Sequence, residues 1–136
     1  MNYWIIPGNI NIYRVTDYFQ ENDTIDWKQS HYKFSVGDIV FIYISSPISS
    51  VRYMLEVVKR DISFEDSIDD KQYWTKNHPM GAEVKNYKYV RLKLLKSSNS
   101  RALHIQRLSD LGFNAPQGAT RKLSKELIDH LLNIFE

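Results

Sequence analysis

Six aromatic residues, Trp27, Tyr43, Tyr53, Trp74, Tyr87 and Tyr89, stand at the ends of apolar runs or in the segments beside them, where a ring can line a pocket. Rings grouped at the mouth of a small sheet, with basic residues nearby, suit the holding of an unstacked base between flat faces while Lys and Arg grip phosphate. Packing is the plainer alternative for any one of them, because Tyr and Trp are common in cores and at their rims. With nine Tyr and three Trp, aromatic residues make up 13% of the chain, so the rings weigh more as a group than singly. Basic residues are concentrated in the second half, including Lys85, Lys88, Arg91, Lys93, Lys96, Arg101, Arg107, Arg121 and Lys122, whereas acidic ones gather between Asp61 and Asp70. A formal charge of +2 does not by itself announce a nucleic-acid protein, so the distribution of charge has to decide.

Nucleophilic and metal chemistry find less support. Cysteine is absent, which removes disulfides, thiolate zinc sites and thiol nucleophiles together and suits a reducing, cytoplasmic setting. His31, His78, His104 and His130 are scattered, without the close spacing that brings two imidazoles to one metal. The pairs Ser45-Ser46 and Ser49-Ser50 lack the flanking glycine of a strained nucleophile turn, and the five glycines are spread singly instead of forming a phosphate loop. Asp66 with Asp69-Asp70 could act as acid and base, but such an acidic run reads first as a solvated loop. A binding module without catalytic residues, cofactor or metal is therefore expected.

The apolar pattern gives the frame that must position these side chains. Tyr3 to Ile6, ended by Pro7-Gly8, predicts a first strand. Ile12, Val15 and Phe19 fall at helical spacing and predict a short helix over 12–19. The stretch after Glu21 reads as loop, carrying Trp27 among Asp26, Lys28, Gln29, Ser30 and His31. A turn at Gly37-Asp38 runs into six consecutive apolar residues, Ile39 to Ile44, which predicts a strand covered on both faces. Val51 to Val58 follows as its antiparallel partner, with Val51, Tyr53, Leu55 and Val57 on one face. Beyond the acidic segment come Lys71-Gln72-Tyr73-Trp74 on a short helix, a break at His78-Pro79-Met80-Gly81, and an alternating, half-exposed strand from Tyr87 to Leu95. A helix over 103–111 ends at Gly112 in a left-handed cap, and a second begins at the N-cap Ser124 with Leu127, Leu131 and Phe135 as its buried stripe. At 136 residues, with 43% apolar content, a single domain over 1–136 is expected. The opening Met1 to Gly8 lacks the pattern of an export signal, and no apolar run approaches the ~20 residues that span a bilayer.

In order, the opening Tyr3-Trp4-Ile5, Trp27, the run Val36-Gly37-Asp38-Ile39-Val40-Phe41-Ile42-Tyr43 and Met54-Leu55-Glu56-Val57-Val58-Lys59 resemble the EVE domain of the PUA-like superfamily. The resemblance implies an α+β fold, a small bent β-barrel of about five to six mostly antiparallel strands with flanking helices. It also implies a pocket for a flipped, often modified base: 5-methylcytosine or 5-hydroxymethylcytosine in DNA for nuclease-linked relatives, and RNA for others. Two features depart from the family pattern: Val51-Arg52-Tyr53-Met54 replaces a glycine-rich strand start, and Lys28-Gln29-Ser30 follows Trp27 where many EVE domains have Arg-Asn.

Carried over residue by residue, the resemblance makes Trp27 the stacking platform, Tyr43 and Ser45 a wall and a hydrogen-bonding group, and Trp74 the opposite face. Tyr53 joins the base pocket, Gln117 reads the base edge, and Lys28, Arg121 and Lys122 hold phosphate. The expected partner is nucleic acid, modified DNA before RNA, with no membrane, and with a nuclease domain or subunit outside this chain; a monomer is expected. The alternatives are an RNA or modified-nucleoside binder, an ASCH-like small-molecule enzyme working through Lys28 or Glu56, and a protein-interaction module.

Overall fold

The computed structural model describes residues 1–75 and 85–136, so the predicted break at His78-Pro79-Met80-Gly81 lies outside the described residues. Five strands, β1 (Tyr3–Gly8), β2 (Thr24–Lys28), β3 (Ile39–Ile44), β4 (Ser50–Ile62) and β5 (Tyr89–Ser97), form one sheet in the order β1-β3-β4-β5-β2. β1 runs parallel to β3, from Tyr3 opposite Ile39 to Gly8 opposite Ile44, and every other pairing is antiparallel. Register shifts at Val57/Lys59 and Lys59/Ile62 put extra residues into β4, and one at Met54/Leu55 puts an extra residue into β5. Bulges of this kind sharpen bend and twist, and the sheet curls into a half-barrel, giving a small α+β fold.

Three α-helices among the described residues flank it: α1 (Val15–Glu21), α2 (Ile105–Leu108) and α3 (Lys125–Phe135). Strand alternation divides the apolar residues between two cores. Trp4, Ile6, Val40, Ile42, Leu55, Val57, Val90 and Leu92 pack with α1 residues on the concave face. Ile5, Phe41 and Tyr43 pack on the other face against Leu108, Phe113 and the α3 stripe Leu127, Leu131 and Phe135. The unbroken apolar run of β3 thus has the physical reason expected of it, since both of its faces are buried.

The Gly37-Asp38 turn also ties the sheet together. The buried Asp38 carboxylate accepts from the Trp4 indole (2.9 Å), Asn2 N (2.9 Å) and Ser35 N (3.0 Å), locking the opening strand beside β3. Burial pushes its pKa up, but the three donors, helped by the N-terminal ammonium, outweigh this and hold it below the usual carboxylate value.

Three element predictions are corrected. The first helix begins at Val15, because 9–13 is taken by a turn in which Ile12 and Tyr13 donate to the Asn9 carbonyl. Trp27 lies on strand β2, paired opposite Val90, and the polar look of that segment is that of a short edge strand whose Asp26 is buried in an ion pair with Arg91. The 103–111 helix is broken into α2 with a 3-10 turn on either side, since the Ser100 hydroxyl and the His104 imidazole each cap a new start. Gly112 ends it at φ +83°, in the left-handed cap, and Ser124 caps α3 by accepting from Leu127 N at 3.1 Å.

Candidate functional site

The half-barrel has two edges, β1 and β2, and the chain between 64 and 74 folds across the gap between them. Beneath it lies a cavity of about 600 Å³, lined by Pro7 and Gly8 from the end of β1, Asp26, Trp27 and Lys28 from β2, Tyr87 just before β5 and Tyr89 at its start. That size is ordinary for a small-molecule pocket. Phe64, Asp70 and Trp74 come from the crossing segment, and Tyr13 from the turn before α1.

Backbone hydrogen bonds hold the crossing segment in place. Arg14 N donates to the Tyr73 carbonyl (2.8 Å) and Thr75 N to the Ile12 carbonyl (3.0 Å), setting Tyr13 opposite Trp74. The Tyr13 ring then meets both indoles edge-on, Trp74 at 5.5 Å and 76° and Trp27 at 6.3 Å and 74°. Lys28 Nζ lies 3.9 Å from the centre of the Tyr87 ring, a cation–π contact within the same wall.

Two buried carboxylates lie among these rings. Asp26 is paired bidentately with Arg91 (2.8 and 3.0 Å) and accepts from Ile68 N (2.8 Å), so its charge is neutralised and its lone pairs occupied. Asp70 accepts from the Tyr13 hydroxyl at 2.9 Å and makes no ion pair among the described residues. Burial raises the Asp70 pKa; Tyr13 and the nearby Trp74 indole oppose that shift, and the Asp26 charge adds to it. The Trp74 Nε1 atom is itself buried and lacks a partner at hydrogen-bond geometry, although it is close enough to Asp70 to favour the carboxylate. Burial together with Asp70 pushes the Tyr13 phenol upward, so it stays protonated as a donor, and Tyr18 beneath it is pushed up to about 12.

Of the residues singled out in the sequence, Trp27, Lys28 and Trp74 meet at this cavity, with Tyr87 and Tyr89 from the wider aromatic group. Tyr43 does not: alternation along β3 turns it to the opposite face, where it packs on Phe113 at 5.3 Å. Tyr53 is buried against Phe19 at 4.6 Å and lines a separate cleft with Arg52. Ser45 lies outside the wall and donates its backbone N–H to Gly8 O (3.0 Å), supporting a wall residue from behind.

Gln117, Arg121 and Lys122 are exposed and also lie outside the wall. Their segment seals the outer edge of β1, where Ile5 and Thr120 exchange hydrogen bonds of 2.8 and 2.9 Å, and Arg121 rests 5.5 Å over Trp4. Glu56 stands opposite Lys93 in the β4–β5 pairing, likewise outside the cavity. Sequence reasoning missed Tyr13, Asp26 and Asp70 as site residues. Asp26 adjoins Trp27, and Asp70 belongs to the acidic run that reads as solvated; nothing local marks Tyr13.

No protein-family model and no curated protein matches the sequence. Solved structures match in fold. ASCH from Zymomonas mobilis is 14% identical, with a TM-score of 0.61 over 99% of this chain and 96% of that one. A hypothetical protein from Leishmania major is 18% identical, with a TM-score of 0.62 over 98% and 93%. The human THYN1 protein, solved in complex with 5-methylcytosine-containing DNA, is 12% identical, with a TM-score of 0.63 over 100% and 98%. Identities this low establish the fold alone, and that fold is the PUA-like one of EVE and ASCH type.

Proposed function

We propose that this chain is a nucleic-acid-binding module that receives one unstacked base in the cavity between β1 and β2 and releases it unchanged. The observation that carries the reading is the grouping of Trp27 and Trp74 about Tyr13, with the Asp70 carboxylate among the rings as a hydrogen-bond acceptor. A flipped base forfeits a few kcal/mol of stacking and pairing, and an aromatic wall returns about 1–3 kcal/mol per base. Asp70 adds an acceptor for an exocyclic amino group such as that of cytosine.

Methylated cytosine in DNA is the first guest to test, in view of the DNA in the THYN1 complex. Its methyl group would be worth about 0.8 kcal/mol when fully buried, so discrimination depends on fit against apolar lining such as Phe64 and Ile12. Lys28 and Lys71, at the same cavity, are the phosphate candidates; Arg121 and Lys122 would engage only a longer strand.

The second reading is an ASCH-like enzyme, favoured by one observation: a buried carboxyl of raised pKa, Asp70, hydrogen-bonded to Tyr13. In that case Asp70, and not Lys28 or Glu56, is the acid–base group. A salt-controlled titration against matched oligonucleotides bearing cytosine, 5-methylcytosine or 5-hydroxymethylcytosine, in DNA and RNA, tests the first reading. Trp27→Ala is expected to weaken binding at least about tenfold, while Gln117→Ala leaves it unchanged. Loss of neither affinity nor preference in Trp27→Ala sinks the cavity assignment, and chemically altered oligonucleotide after incubation moves the protein to the enzyme reading.

A further inference from the structure

We infer that the cavity selects a positively charged nucleobase, one alkylated on a ring nitrogen and carrying an N–H donor beside the charge, such as 3-methylcytosine or 1-methyladenine. The inference rests on the base-binding reading and reorders its candidate guests, setting 3-methylcytosine above its neutral isomer 5-methylcytosine.

Three features of the cavity converge on charge. Aromatic faces attract cations through their quadrupole, by up to about 2 kcal/mol when the contact is desolvated. These walls already hold one, since Lys28 Nζ lies 3.9 Å over Tyr87. The described lining also carries four carboxylates, Asp26, Glu65, Asp69 and Asp70, against two lysines. Among the described residues only Asp26 of these four has a matched counter-charge, from Arg91, and Asp70 is buried with no ion pair. A buried carboxylate of that kind is costly until a cation meets it, and the raised Asp70 pKa expresses the same cost.

The N–H donor is required by the hydrogen bonding. Asp70 is an acceptor already engaged by Tyr13 on Oδ2, with further lone pairs for an amino group. A quaternary ammonium would satisfy the charge and the rings but bring no donor, which is why a base is favoured over a trimethylated lysine side chain.

Calorimetric titration of the full chain with short single-stranded oligonucleotides decides the matter, each carrying one central cytosine, 5-methylcytosine, 3-methylcytosine, N6-methyladenine or 1-methyladenine. The cationic member of each isomer pair is expected to bind about tenfold tighter or more, and Asp70→Asn should collapse that ratio toward one, because it weakens the cationic member more than the neutral one. The exposed pair Glu65→Gln and Asp69→Asn, which does not touch the core, is expected to reduce the ratio in part. Equal affinity for neutral and cationic isomers overturns the inference and leaves base binding standing. Absence of binding by every oligonucleotide removes both, as does saturable binding of a trimethyl-lysine peptide with none of the oligonucleotides.

Discussion

Asp38 and Asp70 are both buried, and their surroundings push them in opposite directions. Asp38 has three donors and a pKa below its ordinary value, so its stabilisation is present above the unfolded pKa of about 3.9 and is lost as pH falls through the lower folded value. Asp70 is raised mainly by burial, so the folded protein carries a penalty above that raised value and regains stability as pH falls through it. Asp38→Asn is therefore expected to destabilise by about 1–3 kcal/mol at neutral pH. Asp70→Asn should instead raise the melting temperature at neutral pH, with the gain vanishing in acid. Thermal melts across pH check both signs, and a drop in melting temperature for Asp70→Asn at neutral pH would refute the account of Asp70. Of the residues singled out in the sequence, Trp27, Lys28 and Trp74 line the cavity, and the two indoles are of a type that advertises stacking, whereas Asp70 sits in a run that looks solvated until the crossing segment buries it.

Among the elements, α3 and the strand row facing it build a core separate from the cavity. Leu131 is fully buried against that second face, so Leu131→Ala is expected to cost about 2–5 kcal/mol of stability. Base affinity should be retained at temperatures where the variant is folded; chemical denaturation paired with the oligonucleotide titration reads the two effects apart. Periodicity made α3 legible, with its Ser124 cap and its Leu127, Leu131 and Phe135 stripe, because that pattern is local and the helix has a single buried face. Strand β2 was illegible for the converse reason. It is five residues long and lies at an edge, so Trp27 looked like a loop residue until β5 paired with it.

At the scale of the whole molecule, a charge of +2 and an acidic stretch along the cavity argue against a broad electrostatic footprint. If Lys28 and Lys71 supply the phosphate contacts, log K should fall with log salt at a slope of magnitude about 1.4 on single strands, with about 0.7 for each phosphate neutralised. A slope several times steeper would place the backbone on another surface, such as that of Arg121 and Lys122. No helix among the described residues is long and apolar enough to cross a membrane. By itself, the sequence determined a mix of strands and helices, the doubly buried β3, the capped α3 and an unusual stock of rings, because propensity, alternation and capping act over a few neighbouring residues. Only the tertiary structure decided which rings share a cavity. Residue order does not reveal which face of a curled sheet a side chain meets, and so Tyr43 and Tyr53 went to cores while Tyr13, Asp26 and Asp70, distant in sequence, came together between two strand edges.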